Sequence, residues 1–195
     1  MRLFSLVAAA LAIMLSSLTY SSGASAQNVI KQPNNHPKYR AELEPHGVFR
    51  AWHRRFGRYA DAPGRRRNGF GDVEFGAGFR ASIELGDPAF IPSINNTVGI
   101  TFGADITNCN GYCPDPELLF YFPVGMQWNF FFTKHWSVMF EPGLVVIGYS
   151  LFDDAAVDFM VAGGARYHFN DDIALTMKVG YPFTFSIGPS FFVGN

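Results

Sequence analysis

The feature that most restricts this chain is an alternation of apolar and polar residues with a period of two, which starts near Arg40 and recurs almost to the last residue. It is clearest from Asp72 to Leu85. There Val73, Phe75, Ala77, Phe79, Ala81, Ile83 and Leu85 share one parity, while Asp72, Glu74, Gly76, Gly78, Arg80, Ser82 and Glu84 share the other. Successive side chains of an extended strand point to opposite faces, so this run builds a strand with one apolar and one polar face. A soluble sandwich with its polar face in water would give the same pattern.

The sizes of the residues on the two faces separate these architectures. Leu118, Phe120, Phe122, Val124, Met126, Trp128, Phe130 and Phe132 form one large apolar face opposite Tyr121, Gly125, Gln127 and Asn129. Ile173, Leu175, Met177, Val179 and Tyr181 alternate with Ala174, Thr176, Lys178 and Gly180, and Phe183, Phe185, Ile187, Phe191 and Val193 with Thr184, Ser186, Gly188 and Ser190. A soluble core must interdigitate large side chains, whereas a narrow membrane barrel turns its bulky apolar groups to lipid and keeps small and polar groups inside. Composition agrees: the chain is 48% hydrophobic and 16% aromatic with 21 Phe. Its longest apolar candidate beyond the N-terminus, Leu118 to Phe132, is nevertheless broken by Pro123, Gly125, Gln127 and Asn129 and cannot be a spanning helix. The expected fold is all-β, an antiparallel up-and-down transmembrane β-barrel of about eight strands.

The strands are expected near Arg40 to Trp52, Asp72 to Leu85, Asn96 to Thr107, Glu117 to Phe132, His135 to Tyr149, Ala156 to Phe169, Asp172 to Tyr181 and Phe183 to Val193. Each reaches the ~9 to 11 residues that a tilted spanning strand needs. With the N-terminus in the periplasm, the turns at Thr133-Lys134 and Asn170-Asp171 fall on the periplasmic side, where such barrels keep turns short. The long connections His53 to Gly71 and Asn108 to Pro116 fall outside. Trp128 and Trp136 flank the Thr133-Lys134 turn on the apolar parity, the place of an interfacial aromatic girdle. Two features go against the pattern. Pro123, Pro142 and Pro189 fall inside strands and imply bulges or displaced ends, and Val145 and Ile147 put apolar side chains on the polar parity of the fifth strand.

Residues 1–26 have the three-part composition of a secretory signal: Arg2, an apolar stretch from Leu3 to Leu15, and small residues ending in Ala24-Ser25-Ala26. Cleavage leaves Gln27 first and about 170 residues, enough for one domain. Residues 27–39, with Pro33, Asn34, Asn35 and Pro37, read as a flexible periplasmic lead-in, and residues 40–195 as the barrel.

The signal, the alternation and the aromatic final strand together resemble the small outer-membrane β-barrel proteins of Gram-negative bacteria, the uncharacterised outer-membrane β-barrel domain families in particular, over roughly Arg40 to Val193. The resemblance implies an outer-membrane location among lipid and lipopolysaccharide, and delivery by the barrel-assembly machinery. That machinery would read the last strand, where Phe183, Phe185, Ile187, Phe191 and Phe192 look like its signal.

Polar-parity charges converge on the lumen of such a barrel: Glu42, Glu44, Arg50, Glu74, Arg80, Glu84, Glu141, Asp158, Arg166 and Lys178, accompanied by His46, Asp105 and His168. An eight-stranded barrel is just wide enough for side chains to fill it, so these charges are expected to pair as a polar core; a narrow, porin-like channel or ligand-carrying barrel is the alternative. Arg80 is expected to pair with Glu74, Glu84 or Glu141.

Cys109 and Cys113 are the only cysteines, and in an oxidising compartment they are expected to form a disulfide across an outer loop. Their spacing is one residue longer than a redox Cys-x-x-Cys, and Asp105 or Asp115 would complete a poor zinc set, so no metal is expected. Arg54, Arg55, Arg58, Arg65, Arg66 and Arg67 crowd one outer connection. Export argues against nucleic acid; the arginines fit a solvated loop, or contacts to lipopolysaccharide phosphates, whose oxygens planar guanidiniums match. His53, Ser150, Asp153 and Asp154 could meet at the outer rim as a hydrolase set, but no nucleophile elbow, phosphate loop or zinc motif accompanies them, and no cofactor is implied. The expected function is therefore non-enzymatic, structural or surface-interacting, with a rim hydrolase the remotest alternative.

Overall fold

A computed structural model describes residues 28–53, 69–86, 91–108, 118–149 and 154–194. They form eight strands: β1 Ala41–His53, β2 Gly69–Gly86, β3 Asn96–Asn108, β4 Leu118–Phe131, β5 Trp136–Tyr149, β6 Asp154–His168, β7 Ile173–Tyr181 and β8 Phe185–Val193. Each pairs antiparallel with the next, and β8 pairs with β1, so the sheet closes into a barrel. The expected signal peptide, Cys109 and Cys113, and the arginines from Arg54 to Arg67 lie outside the described residues.

Parity decides which way each side chain points. Phe75, Leu85 and Val157 are 61%, 64% and 66% exposed on the outer face, and Phe79, Ile83, Val124, Phe140 and Leu144 are exposed with them. Their neighbours in sequence, Glu74, Arg80, Ser82, Glu141 and Val145, are buried in the interior. The sheet is thus wrapped so that its apolar face is outermost.

The fifth strand is regular, paired with β6 without a break from Trp136↔Tyr167 to Tyr149↔Asp154. Val145 and Ile147 depart from the polar pattern because they join an apolar cluster inside the barrel, with Val48, Leu119, Tyr121, Met160 and Phe183. On the inner face this apolar cluster stands among charged groups: Val145 pairs with Asp158, and Arg50 lies over Tyr121.

The prolines cause no slip. The β3–β4 register is the same on both sides of Pro123, at Phe102↔Val124 and Asp105↔Tyr121, and the ladder merely lacks the pairs between. Pro142 likewise sits in a gap of the β4–β5 ladder between Gly125↔Gly143 and Trp128↔Phe140. The register shifts lie elsewhere, at Arg50/Trp52 and at Glu84/Gly86. Gly86 has φ 123°, a backbone conformation open to glycine but strained for other residues.

The wall is uneven. β1 and β2 pair out to His53↔Gly69, and β5 and β6 to Tyr149↔Asp154, but β7 meets β6 only from Val161↔Tyr181 downward. At the opposite end, tight turns join β4 to β5 and β6 to β7. Thr133 Oγ1 accepts from the backbone N–H groups of His135 and Trp136 at 3.2 and 2.9 Å, and Asn170 Oδ1 from those of Asp172 and Ile173 at 2.9 and 2.8 Å. Residues 28–39, expected as a flexible lead-in, are seated across this end. Val29 is buried and its N–H donates to the Phe132 carbonyl at 2.9 Å, while the Asn95 N–H donates to the Ile30 carbonyl at 2.7 Å.

Candidate functional site: the charged barrel interior

Antiparallel closure brings inward side chains from distant parts of the sequence to one axis. Near the turn end, Arg166 of β6 pairs with Glu42 of β1, donates to Thr176 Oγ1 at 3.1 Å and to Asn129 Oδ1 at 3.4 Å, and lies over the Phe192 ring at 5.3 Å from its centroid. Tyr39, just ahead of β1, is buried beside them; burial first, then the charge of Glu42, pushes its phenol pKa well up and keeps it protonated.

At mid-height Lys178 of β7 lies between two carboxylates, Glu44 of β1 at 2.7 Å and Glu141 of β5 at 2.9 Å. Gln127 Nε2 donates to Glu141 at 2.9 Å. Beside this triad Arg80 of β2 pairs with Asp105 of β3 at 2.7 Å, and His46 Nε2 lies 2.8 Å from the other Asp105 oxygen. The second ring nitrogen of His46 meets the Glu44 carbonyl at 3.0 Å. Two glycines make room for these groups. A Cβ at Gly78 would overlap the Asp105 carboxylate, and one at Gly103 would come within 3.0 Å of the Arg80 side chain.

Towards the end opposite the short turns Arg50 of β1 pairs with Glu74 of β2 at 2.9 Å and lies over the Tyr121 ring. Asp158 of β6 accepts from the Tyr181 hydroxyl. Glu84, near the lower end of β2, is half-buried.

All ten charges singled out in the sequence therefore belong to inward-parity positions, yet the pairing differs from expectation. The carboxylate against Arg80 is Asp105, not Glu74, Glu84 or Glu141. Glu74 is taken by Arg50 and Glu141 by Lys178. The two histidines divide their work: His46 joins the charge network, whereas His168 meets Ser137 Oγ at 3.0 Å and stacks on Phe192. Of the residues expected to form the assembly signal, Phe185, Ile187 and Phe191 lie on the outer face, while Phe183 and Phe192 are buried inside. The side chains of His53, Ser150, Asp153 and Asp154 lie outside the described residues, as does Asp115.

A void of about 30 Å³ beside Lys178, His46, Met160 and Phe183 has room for roughly two waters. Among the described residues no group of His, Cys, Asp and Glu is placed to hold a metal ion.

No protein-family model and no curated protein matches this sequence. Among solved structures, the chain is similar to Ail, the attachment invasion locus protein of Yersinia pestis, at 10% identity over 80% of this chain and 98% of that one, with a TM-score of 0.42.

Proposed function

We propose that this chain is an exported outer-membrane protein of Gram-negative type that spans the bilayer as a filled barrel and acts as a structural or surface-interacting element rather than as an enzyme. The observation that carries this reading is the inversion of the sheet: exposed Phe, Leu, Ile and Val side chains outside, and buried Arg, Lys and Glu inside. In water so large an apolar surface would aggregate, whereas in hydrocarbon it is the solvated face. Trp136, Tyr167 and Phe169 form successive edge-on contacts at 5.0 and 5.3 Å beside the short turns, which supports placing the periplasmic interface at that end.

The interior supports a plug rather than a pore, because among the described residues the ion-paired side chains meet across the axis, with a void of about 30 Å³ beside Lys178. Small outer-membrane barrels are the family this pattern fits. Arg54, Arg55, Arg58, Arg65, Arg66 and Arg67 are proposed to contact lipopolysaccharide phosphates, and the outer-face residues of the last strand to be read during assembly. Fractionation tests the reading: the mature protein should sediment with outer membranes and resist carbonate extraction. Recovery in the soluble periplasm would overturn it. Purified protein in planar bilayers should give no discrete conductance steps.

A further inference from the structure

The end of the barrel that carries the short turns holds a cleft of about 490 Å³, within the size range of small-molecule sites, between the N-terminal segment and the β4–β5 and β6–β7 turns. Its lining includes Lys38, Lys134, Thr133, His36 and Asp171. It is separate from the charged interior, and the proposed function does not use it.

One wall is held in place from the barrel. Asn95, fully buried, donates its side-chain N–H to the Asn35 carbonyl at 2.8 Å and accepts from His36 Nδ1 at 2.8 Å. That bond fixes the tautomer of His36, whose ring lies flat on Phe131 with centroids 4.9 Å apart. The other ring nitrogen, Nε2, accepts from Lys38 Nζ at 3.1 Å. An ammonium has three donors, so Lys38 is positioned by one and retains others for a ligand. Thr133 is prepared in a similar way, since its oxygen accepts two backbone N–H groups and its own hydroxyl proton remains to be donated. Lys134 supplies a second ammonium and Asp171 one carboxylate.

We infer that this cleft binds a small peptide carrying free carboxylates and a free amine, the chemistry of the stem peptides of the periplasmic cell wall: carboxylates on Lys38, Lys134 and Thr133, the amine on Asp171. The inference rests on the outer-membrane reading only for the compartment that supplies the ligand. A phospholipid headgroup carries the same charges but belongs around the circumference, outside Trp136 and Tyr167, whereas this cleft is walled by inward residues such as His36 and Phe131.

The test is calorimetric titration of the folded mature protein in micelles with the tripeptide L-Ala-γ-D-Glu-meso-diaminopimelate. Binding should saturate, and Lys38→Ala and Lys134→Ala should each weaken it about tenfold, as loss of one charge-assisted hydrogen bond does. Asp171→Asn should weaken binding of the tripeptide but not of inorganic phosphate. All three side chains are exposed, so the variants should fold like wild type. Failure to saturate, a Lys38→Ala/Lys134→Ala double variant that binds like wild type, or equal competition by phosphoethanolamine would each overturn the inference. Failure of the outer-membrane reading is distinguishable: it would show in fractionation, and lysine-dependent binding in micelles would still support the site.

Discussion

Pro45 of β1 and Pro189 of β8 stand opposite one another across the seam that closes the barrel. The ladder is intact at Leu43↔Phe191 and again at Gly47↔Ile187, in one unbroken register, and the pairs between lack its bonds because neither proline has an N–H to give. A closed barrel thereby tolerates two prolines at the cost of one hydrogen-bonded pair instead of two separate defects.

This juxtaposition gives a direct test of closure. Paired positions of an antiparallel sheet lie about 5.5 Å apart between Cα atoms, inside the span of a disulfide. With Cys109 and Cys113 replaced by Ser, Pro45→Cys combined with Pro189→Cys should cross-link under mild oxidation in the folded protein, shifting its mobility on a non-reducing gel. Absence of the cross-link would mean that β1 and β8 do not meet.

Adjacent residues on opposite faces should respond in opposite ways. Phe79→Arg sets a guanidinium against acyl chains and should cost ~2 to 4 kcal/mol in urea unfolding from bilayers. Arg80→Ala strands Asp105 in the interior, with an expected loss of ~3 to 5 kcal/mol that shrinks when Asp105→Asn is added. If Arg80→Ala costs the same with and without Asp105, the assigned pair is wrong.

Lys178 is a stricter case, because it serves two carboxylates. Lys178→Met should destabilise by at least the ~3 to 5 kcal/mol of a broken buried pair, and most of the loss should return in the Lys178→Met/Glu44→Gln/Glu141→Gln triple variant. Denaturant midpoints of the two proteins provide the comparison; a triple variant no more stable than the single one would refute the triad.

For the loop cysteines the expected outcome is chemical. Cys109 and Cys113 should resist alkylation in the exported protein and react only after reduction. Two freely alkylated thiols would rule out the bond.

The strands were legible from the sequence because lipid outside and charge inside impose the same period of two on every one of them, and strand ends agree with expectation to within about three residues. Pairing was not. Arg80 meets Asp105 because the β2–β3 register sets Arg80 opposite Gly103 and Gly78 opposite Asp105, and that register depends on the shift at Gly86, which no periodicity announces. Val145 and Ile147 looked like a lapse for a related reason: they pack in an apolar cluster whose other members come from three other strands and from Phe183 beyond β7. The lead-in, rich in Asn and Pro, gave no sign that Asn95 would hold it.

The occupied bore also has a mechanical consequence. A hollow tube under side pressure flattens by bending its wall, but here the wall is braced from within: Arg166 ties β6 to β1, and Lys178 ties β7 to both β1 and β5 across the axis. Squeezing the cylinder out of round would have to part these struts where a void of about 30 Å³ leaves room for few waters to replace them. A surrounding membrane would meet a stiff post, and any mismatch in thickness would be taken up by the lipid rather than by the protein.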